Sequence, residues 1–188
     1  MATKARERLL QTAEELFYAE GIRACGVERI LEVSGVGRAS FYRHFQSKDE
    51  LVLEVLRGRD VRWRAWLEEA VAARGLPATE RPAAVFDALA ERFGWQDFRG
   101  CAFINTMVEA ADPQSAAFQA AADHKRRVVA YLDRLLDEAG YAGHKALARQ
   151  FMLLVDGAIV AALRDRTTES AGSAKAVAVA LLAAQRAP

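Results

Sequence analysis

Arg38, Arg43 and Lys48 stand close together in a stretch, Val33 to Lys48, that contains no acidic side chain, with Ser40, Tyr42 and His44 interleaved among them. Each of these groups donates hydrogen bonds, through guanidinium, ammonium, imidazole or hydroxyl. A row of donors without carboxylates suits a polyanion that offers phosphate oxygens and base edges. Arginine pairs bidentately with a guanine edge, while lysine and hydroxyls hold phosphate oxygens, which set register without reading sequence. On this chemistry Arg38 and Ser40 are candidates for base contacts, Tyr42, His44 and Lys48 for phosphate contacts, and Arg43 for a further exposed polar contact. The chain as a whole is not basic, with 26 Lys and Arg against 25 Asp and Glu and a formal net charge of +1. Any such surface is therefore made by where charge sits and not by how much there is.

The elements that must hold these side chains are short. Val27 to Val33 reads as a helix anchored by Val27, Ile30 and Leu31, Ser34-Gly35 breaks it, and Arg38 to His44 reads as a second helix. Val36 and Phe41 have the spacing of a hydrophobic staple across the start of that second helix. Ser47 and Glu50 form the S-x-x-E capping box that starts a long fourth helix, and its N-terminus adds backbone donors for a phosphate. Helix, glycine turn and helix in this order describe a helix-turn-helix, whose second helix is sized for the DNA major groove. A solvated amphipathic surface carrying a few arginines is the competing reading of the same residues.

Helical periodicity continues to the end, which predicts an all-α fold of about nine helices. The first runs from about Thr3 to Glu20 on a stripe of Leu9, Leu10, Ala13, Leu16 and Phe17, and Gly21 stands at its end. The fourth runs from Ser47 to about Ala73, where Arg74-Gly75-Leu76-Pro77 stops it. Further helices are expected at Arg81 to Phe93, Ala102 to Ala110, Ser115 to Ala139, His144 to Arg166 and Ser173 to Arg186, with a break at Thr167 to Gly172. At 52% hydrophobic residues the chain can bury a real core. Cys25 and Cys101 have no metal-like spacing and read as reduced thiols, which fits a cytoplasmic protein. No signal-peptide core is visible, and the longest apolar run, Ala176 to Ala184, is far short of the ~20 residues that span a bilayer, so no membrane partner is expected.

The first 50 or so residues resemble the TetR family of transcriptional regulators. The resemblance is carried by Leu16, Phe17 and Gly21, by Gly35 and Val36, by Tyr42, His44 and Phe45, and by Ser47, Lys48, Glu50 and Leu51. It implies an N-terminal three-helix bundle with a helix-turn-helix over residues 1–50. It also implies a C-terminal helical ligand-binding and dimerisation bundle over 51–188. The implied function is a ligand-responsive homodimeric repressor, released from double-stranded operator DNA by a small hydrophobic effector. Two departures concern the caps of the second and third helices. The family usually has Ser or Thr there, whereas this chain has Gly26 and Gly37, so side-chain phosphate contacts at both places are lost.

In the C-terminal part, the apolar helix from Ser173 joins His144 to Arg166 as a candidate half of an intersubunit four-helix bundle, with Leu147, Phe151, Leu154, Val177 and Leu181 at the interface. Completion of the monomer core is the alternative for both helices. Trp63, Trp66, Phe93, Phe103, Asn105, Met107, His124, Tyr131 and Met152 are the candidate effector pocket, although each of these also suits an ordinary core. Asp156, within an apolar stretch, needs a partner: a dimer-interface pair, a pocket contact or a solvated edge. Asp123, His124 and Lys125 lack a second ligand at metal spacing, and no nucleophile–base pair is recognisable. No metal, no cofactor and no enzymatic activity are expected.

Overall fold

The computed structural model describes residues 2–185. Among them the chain is entirely helical, with nine helices: α1 (Ala2–Glu20), α2 (Val27–Ser34), α3 (Arg38–His44), α4 (Lys48–Ala72), α5 (Arg81–Phe93), α6 (Ala102–Ala110), α7 (Ala116–Glu138), α8 (His144–Asp165) and α9 (Glu169–Ala184). Most boundaries fall within a residue of those the periodicity predicts, because the local stop signals are strong. The largest displacement is at α9, which starts at Glu169 and not at Ser173. Arg166, in the left-handed conformation with φ 56°, already reverses the chain, and Ser170 Oγ donates to the Ala158 carbonyl of α8 at 2.8 Å. These two local events replace the longer break expected at Thr167 to Gly172, and Gly172 becomes helical. Arg186 lies outside the described residues.

The chain forms two compact units, Met1–Arg62 with Ala102–His124, and Trp63–Cys101 with Lys125–Pro188. Both α4 and α7 run through both of them. This division follows packing and cuts across the functional boundary expected at residue 50.

In the first unit, α1 packs on α2 and α3. The predicted stripe of α1 is closed in, with Leu9, Ala13, Leu16 and Phe17 buried, and Ile30, Phe41, Phe45 and Leu51 of the same unit are buried as well. The α2–α3 turn is built as its residues demand. Gly35 takes φ 64° and its amide donates to the Leu31 carbonyl, while the Ser34 hydroxyl accepts the Val36 amide at 3.3 Å. The start of α4 is capped by Ser47 Oγ, which accepts the Glu50 amide at 3.2 Å. The Glu50 carboxylate reaches back one residue further than a capping box requires and accepts the Gln46 amide at 2.6 Å.

In the second unit, α9 packs on α5 and α8. Leu67, Phe86, Leu89, Leu132, Leu136, Leu147 and Phe151 fill the core. By length and composition α8 could cross a membrane. Its Leu147, Phe151, Val155 and Ile159 stripe is instead closed in this core, and Asp156 on its flank is ion-paired with Lys125 at 2.5 Å. That pairing within one chain answers the question Asp156 posed in the sequence.

Gly35 isolates a backbone effect cleanly, since a Cβ there would meet nothing within 4 Å. Gly35→Ala should therefore cost only the left-handed conformation, about 1–2 kcal/mol. Urea unfolding checks this, and an unchanged midpoint would contradict the assigned turn.

Candidate nucleic-acid interface

Seven residues do not make a stable helix in water, so α3 has to be held by what it buries. Phe41 is fully buried, its ring 5.9 Å from Phe45 and 5.1 Å, edge-on, from Tyr42. Val36 and Phe41, at the staple positions, are both buried. With that side turned in, Arg38, Ala39, Tyr42 and Arg43 are exposed at i, i+1, i+4 and i+5 and form one outward face. Ser40 and His44 lie toward the protein and are half-buried.

The candidate contacts separate accordingly. Arg43 is exposed and has no ion pair among the described residues. Tyr42 is half-exposed. Arg38 is exposed but its guanidinium donates to the carboxylate of Glu28 on α2. His44 is half-buried, and its Nε2 is buried and without a hydrogen-bond partner. Lys48 has an intramolecular partner that the sequence did not show. Its ammonium donates to the Ile22 carbonyl in the α1–α2 turn and lies 6.0 Å from the Phe17 ring centre. It ties α4 to the end of α1, a role that spacing along the chain could not reveal.

Both expected glycine caps are present. Gly26 (φ −80°, ψ 165°) and Gly37 (φ −68°, ψ 149°) cap α2 and α3 without a side-chain hydrogen bond. Both conformations are open to any L-residue, so glycine is not required by the backbone at either place.

One residue that the sequence did not mark acts on the same turn from α6. Glu109 Oε2 accepts the Arg23 amide at 2.8 Å, and its carboxylate sits where a Cβ on Gly21 would meet it at 3.2 Å. The α1–α2 turn is thus gripped by Lys48 on its Ile22 carbonyl and by Glu109 on its Arg23 amide. Cys25 in this turn is buried, and burial, followed by the charge of Glu20, pushes its thiol up. A raised thiol is a poor nucleophile, so Cys25 is a packing residue.

The candidate pocket residues are divided between the units. In the first, His124 Nδ1 is 2.8 Å from Asp60 Oδ1, both side chains are buried, and the Phe103 ring stacks on the imidazole with centres 3.6 Å apart. This is a satisfied core pair joining α4, α6 and α7, and buried Asp60 was not foreseen. Asn105 lines a cavity of about 20 Å³, room for roughly one water, and Met107 is half-buried. In the second unit Trp63 and Trp66 lie 5.9 Å apart and Trp66 and Trp95 6.1 Å apart, with the Arg92 guanidinium 4.2 Å over Trp95. Phe93, Tyr131 and Met152 are nearly closed in. Burial pushes the Tyr131 phenol up to about 12, so it stays a neutral hydrogen-bonding group. No group of three or more His, Cys, Asp and Glu able to hold a metal occurs among the described residues.

Of the expected interface residues, Leu147 and Phe151 are closed inside the second unit, because the stripe they share with Val155 and Ile159 is the core stripe of α8. Leu154 and Leu181 are partly buried and Val177 is half-exposed. The exposed apolar side of α8 is instead Leu153 and Val160, at 74% and 50% exposure. The α9 helix is apolar and small on most sides, with Lys175 reaching the Asp87 carboxylate, and its buried residues are Ala171, Ala174, Ala178 and Leu182.

A glycine-turned helix pair whose second helix presents arginines and a tyrosine, carried on an all-helical frame, defines a DNA-binding regulator of transcription. Residues 9–55 match the family described as bacterial regulatory proteins, tetR family. A TetR-family transcriptional regulator from Streptomyces coelicolor, known from its crystal structure, is 33% identical with a TM-score of 0.89, covering 98% of this chain and 97% of that one. The HTH-type transcriptional repressor KstR2 of Rhodococcus jostii is 43% identical over 53 residues, which is 28% of this chain but only 26% of that protein. The regulator TcmR of Streptomyces glaucescens is 38% identical over 65 residues, 29% of its length. The chain belongs to the TetR family of transcriptional regulators, and it is not an enzyme.

Two predictions follow from the caps and from Lys48. Serine at Gly26 and Gly37 meets nothing within 4 Å at its Cβ, so each substitution should stabilise the fold by about 0.5 kcal/mol. Each should also tighten binding to any duplex a few-fold, by restoring a hydroxyl that can reach phosphate; thermal melts and gel shifts on random DNA measure the two effects. Lys48→Ala should lower stability by about 1–2 kcal/mol, and an unchanged melting temperature with weakened DNA binding would restore Lys48 to the phosphate contacts.

Proposed function

We propose that this chain is a cytoplasmic, homodimeric repressor that leaves its operator when a small hydrophobic effector binds. Residues 1–50 would read DNA and 51–188 would bind effector and partner. The reading face is Arg38, Tyr42 and Arg43, with Ser40 and His44 reaching DNA only if α3 adjusts on docking.

The observation that carries the response is the Glu109 bond to the Arg23 amide. It makes α6 a support of the reading head, so an effector that displaces α6 weakens the hold on the α1–α2 turn. Bound and free states then differ in operator affinity, as coupling between sites requires. The candidate effector wall is the aromatic group of the second unit, Trp63, Trp66, Phe93, Tyr131 and Met152, which offers apolar surface with one neutral hydroxyl. Phe103, Asn105, Met107 and His124 belong to the first unit and form a separate candidate lining there.

The dimer rests on the outward apolar side of α8 and α9, with Leu153, Val160 and Val177 flanked by the small residues Gly157, Ala161 and Ala176. Two copies pairing this side about a two-fold axis would form a four-helix bundle. Such a dimer matches half-sites about 34–36 Å apart.

Footprinting on the DNA upstream of the protein's own gene, repeated with a panel of apolar effectors, tests the whole reading. The expected result is a palindromic footprint lost with at least one effector, and an effector that binds without altering the footprint would refute the response. Two of the chain's three tryptophans, Trp63 and Trp66, belong to the proposed wall, and the third, Trp95, lies 6.1 Å from Trp66, so intrinsic fluorescence should be quenched by the same compound. A Leu153→Glu, Val177→Glu variant should sediment as a monomer and bind operator at least about 100-fold more weakly; a dimer of unchanged mass would place the interface elsewhere.

A further inference from the structure

The two arginines on the exposed face of α3 differ in one respect that their exposure does not explain. Arg43 has no ion pair among the described residues, whereas Arg38, five positions away on the same face, is bonded to a carboxylate from another helix. Glu28 is the second residue of α2, following the Gly26 cap, and reaches across the turn to the Arg38 guanidinium, ten residues on in sequence. The side chains of Glu28 and Arg38 are 70% and 59% exposed. An ion pair so open contributes little to folding, and the favourable place of an acid near the start of α2 does not require a partner on α3.

We infer that Glu28 is a specificity-determining residue, which holds Arg38 for base reading and keeps it from binding the phosphate backbone unselectively. The inference rests on the reading that the exposed face of α3 docks on DNA. A guanidinium has five N–H donors, and only Nη2 is engaged with Glu28. The donors left over suffice for a bidentate pair with guanine O6 and N7. At a cognate guanine, Arg38 therefore satisfies both partners at once, and the carboxylate fixes the plane of the fork. At any other base the fork finds no acceptor pair. An unrestrained arginine would then swing to a neighbouring phosphate and bind regardless of sequence. Glu28 opposes that movement, and its own charge repels the phosphates. Arg43, without such a restraint, supplies the sequence-independent contact. One short helix thus carries a tethered arginine for selectivity and a free one for affinity.

The test compares wild type with Glu28→Gln and Glu28→Ala on two probes: the tightest duplex recovered by wild-type protein from a randomised pool, and poly(dA-dT), which offers no O6 and N7 acceptor pair. With either variant, affinity for poly(dA-dT) should rise about tenfold, with the recovered duplex held within about threefold, so that selectivity falls about tenfold. The salt dependence of poly(dA-dT) binding should steepen by about one released counterion, as expected when Arg38 gains a phosphate. In an Arg38→Ala background, Glu28→Gln should no longer change selectivity. Equal weakening on both probes, unchanged selectivity, or the same effect with and without Arg38 would overturn the assignment. Failure of wild-type protein to enrich any duplex would instead refute the DNA reading itself, and melting temperatures of the variants show that the comparison is made between folded proteins.

Discussion

Burial of the Phe41 ring is the contact on which the reading surface depends. A seven-residue helix has too few internal hydrogen bonds to offset the entropy of forming it, so α3 exists because one aromatic side chain is fully enclosed. Helical geometry then leaves little choice. Once position 41 points inward, positions 39, 42 and 43 turn outward with position 38 on their flank, and the chain has placed two arginines and a tyrosine there. Gly35, in the left-handed region, and the buried Val36 set the angle at which α3 leaves the turn. The functional face is a consequence of packing on its opposite side.

The α1–α2 turn is the second constraint. It has no regular structure of its own, and it is held from both chemical ends: Lys48 donates to the Ile22 carbonyl and Glu109 accepts the Arg23 amide. Backbone groups held by side chains from two helices are sensitive to the position of both helices. Deeper in the same unit the buried Asp60–His124 pair, covered by Phe103, joins α4, α6 and α7. Buried polar pairs are sensitive to geometry because a displaced partner leaves an unsatisfied group behind. The reading head is thus supported by directional bonds whose lengths report helix position, a more exacting link than apolar contact.

Much of this was legible in the residues. Helix ends were marked by Gly35, Ser47, Glu50 and Pro77, and the family pattern from Leu16 to Leu51 carried the class. What misled was the use of composition where direction was needed. Leu147 and Phe151 are as apolar as Leu153, but they lie on the stripe of α8 that faces the core, and composition does not tell the two stripes apart. Lys48 reads as a phosphate contact along the chain, and only in three dimensions does it also hold a carbonyl 26 residues earlier. Trp63 and His124, grouped together by residue type, belong to different compact units.

The sequence by itself determined the all-helical class, the positions of the turns and the acid-free order of donors along α3. Each of these depends on interactions within about four residues, where chain connectivity already brings the groups together. Only the tertiary structure decided the partners: Glu28 for Arg38, Ile22 for Lys48, Arg23 for Glu109, Asp60 for His124 and Lys125 for Asp156. These pairs are separated by 10 to 86 residues. At such distances a charge or an amide has many possible acceptors along the chain, and helix packing brings one of them within reach.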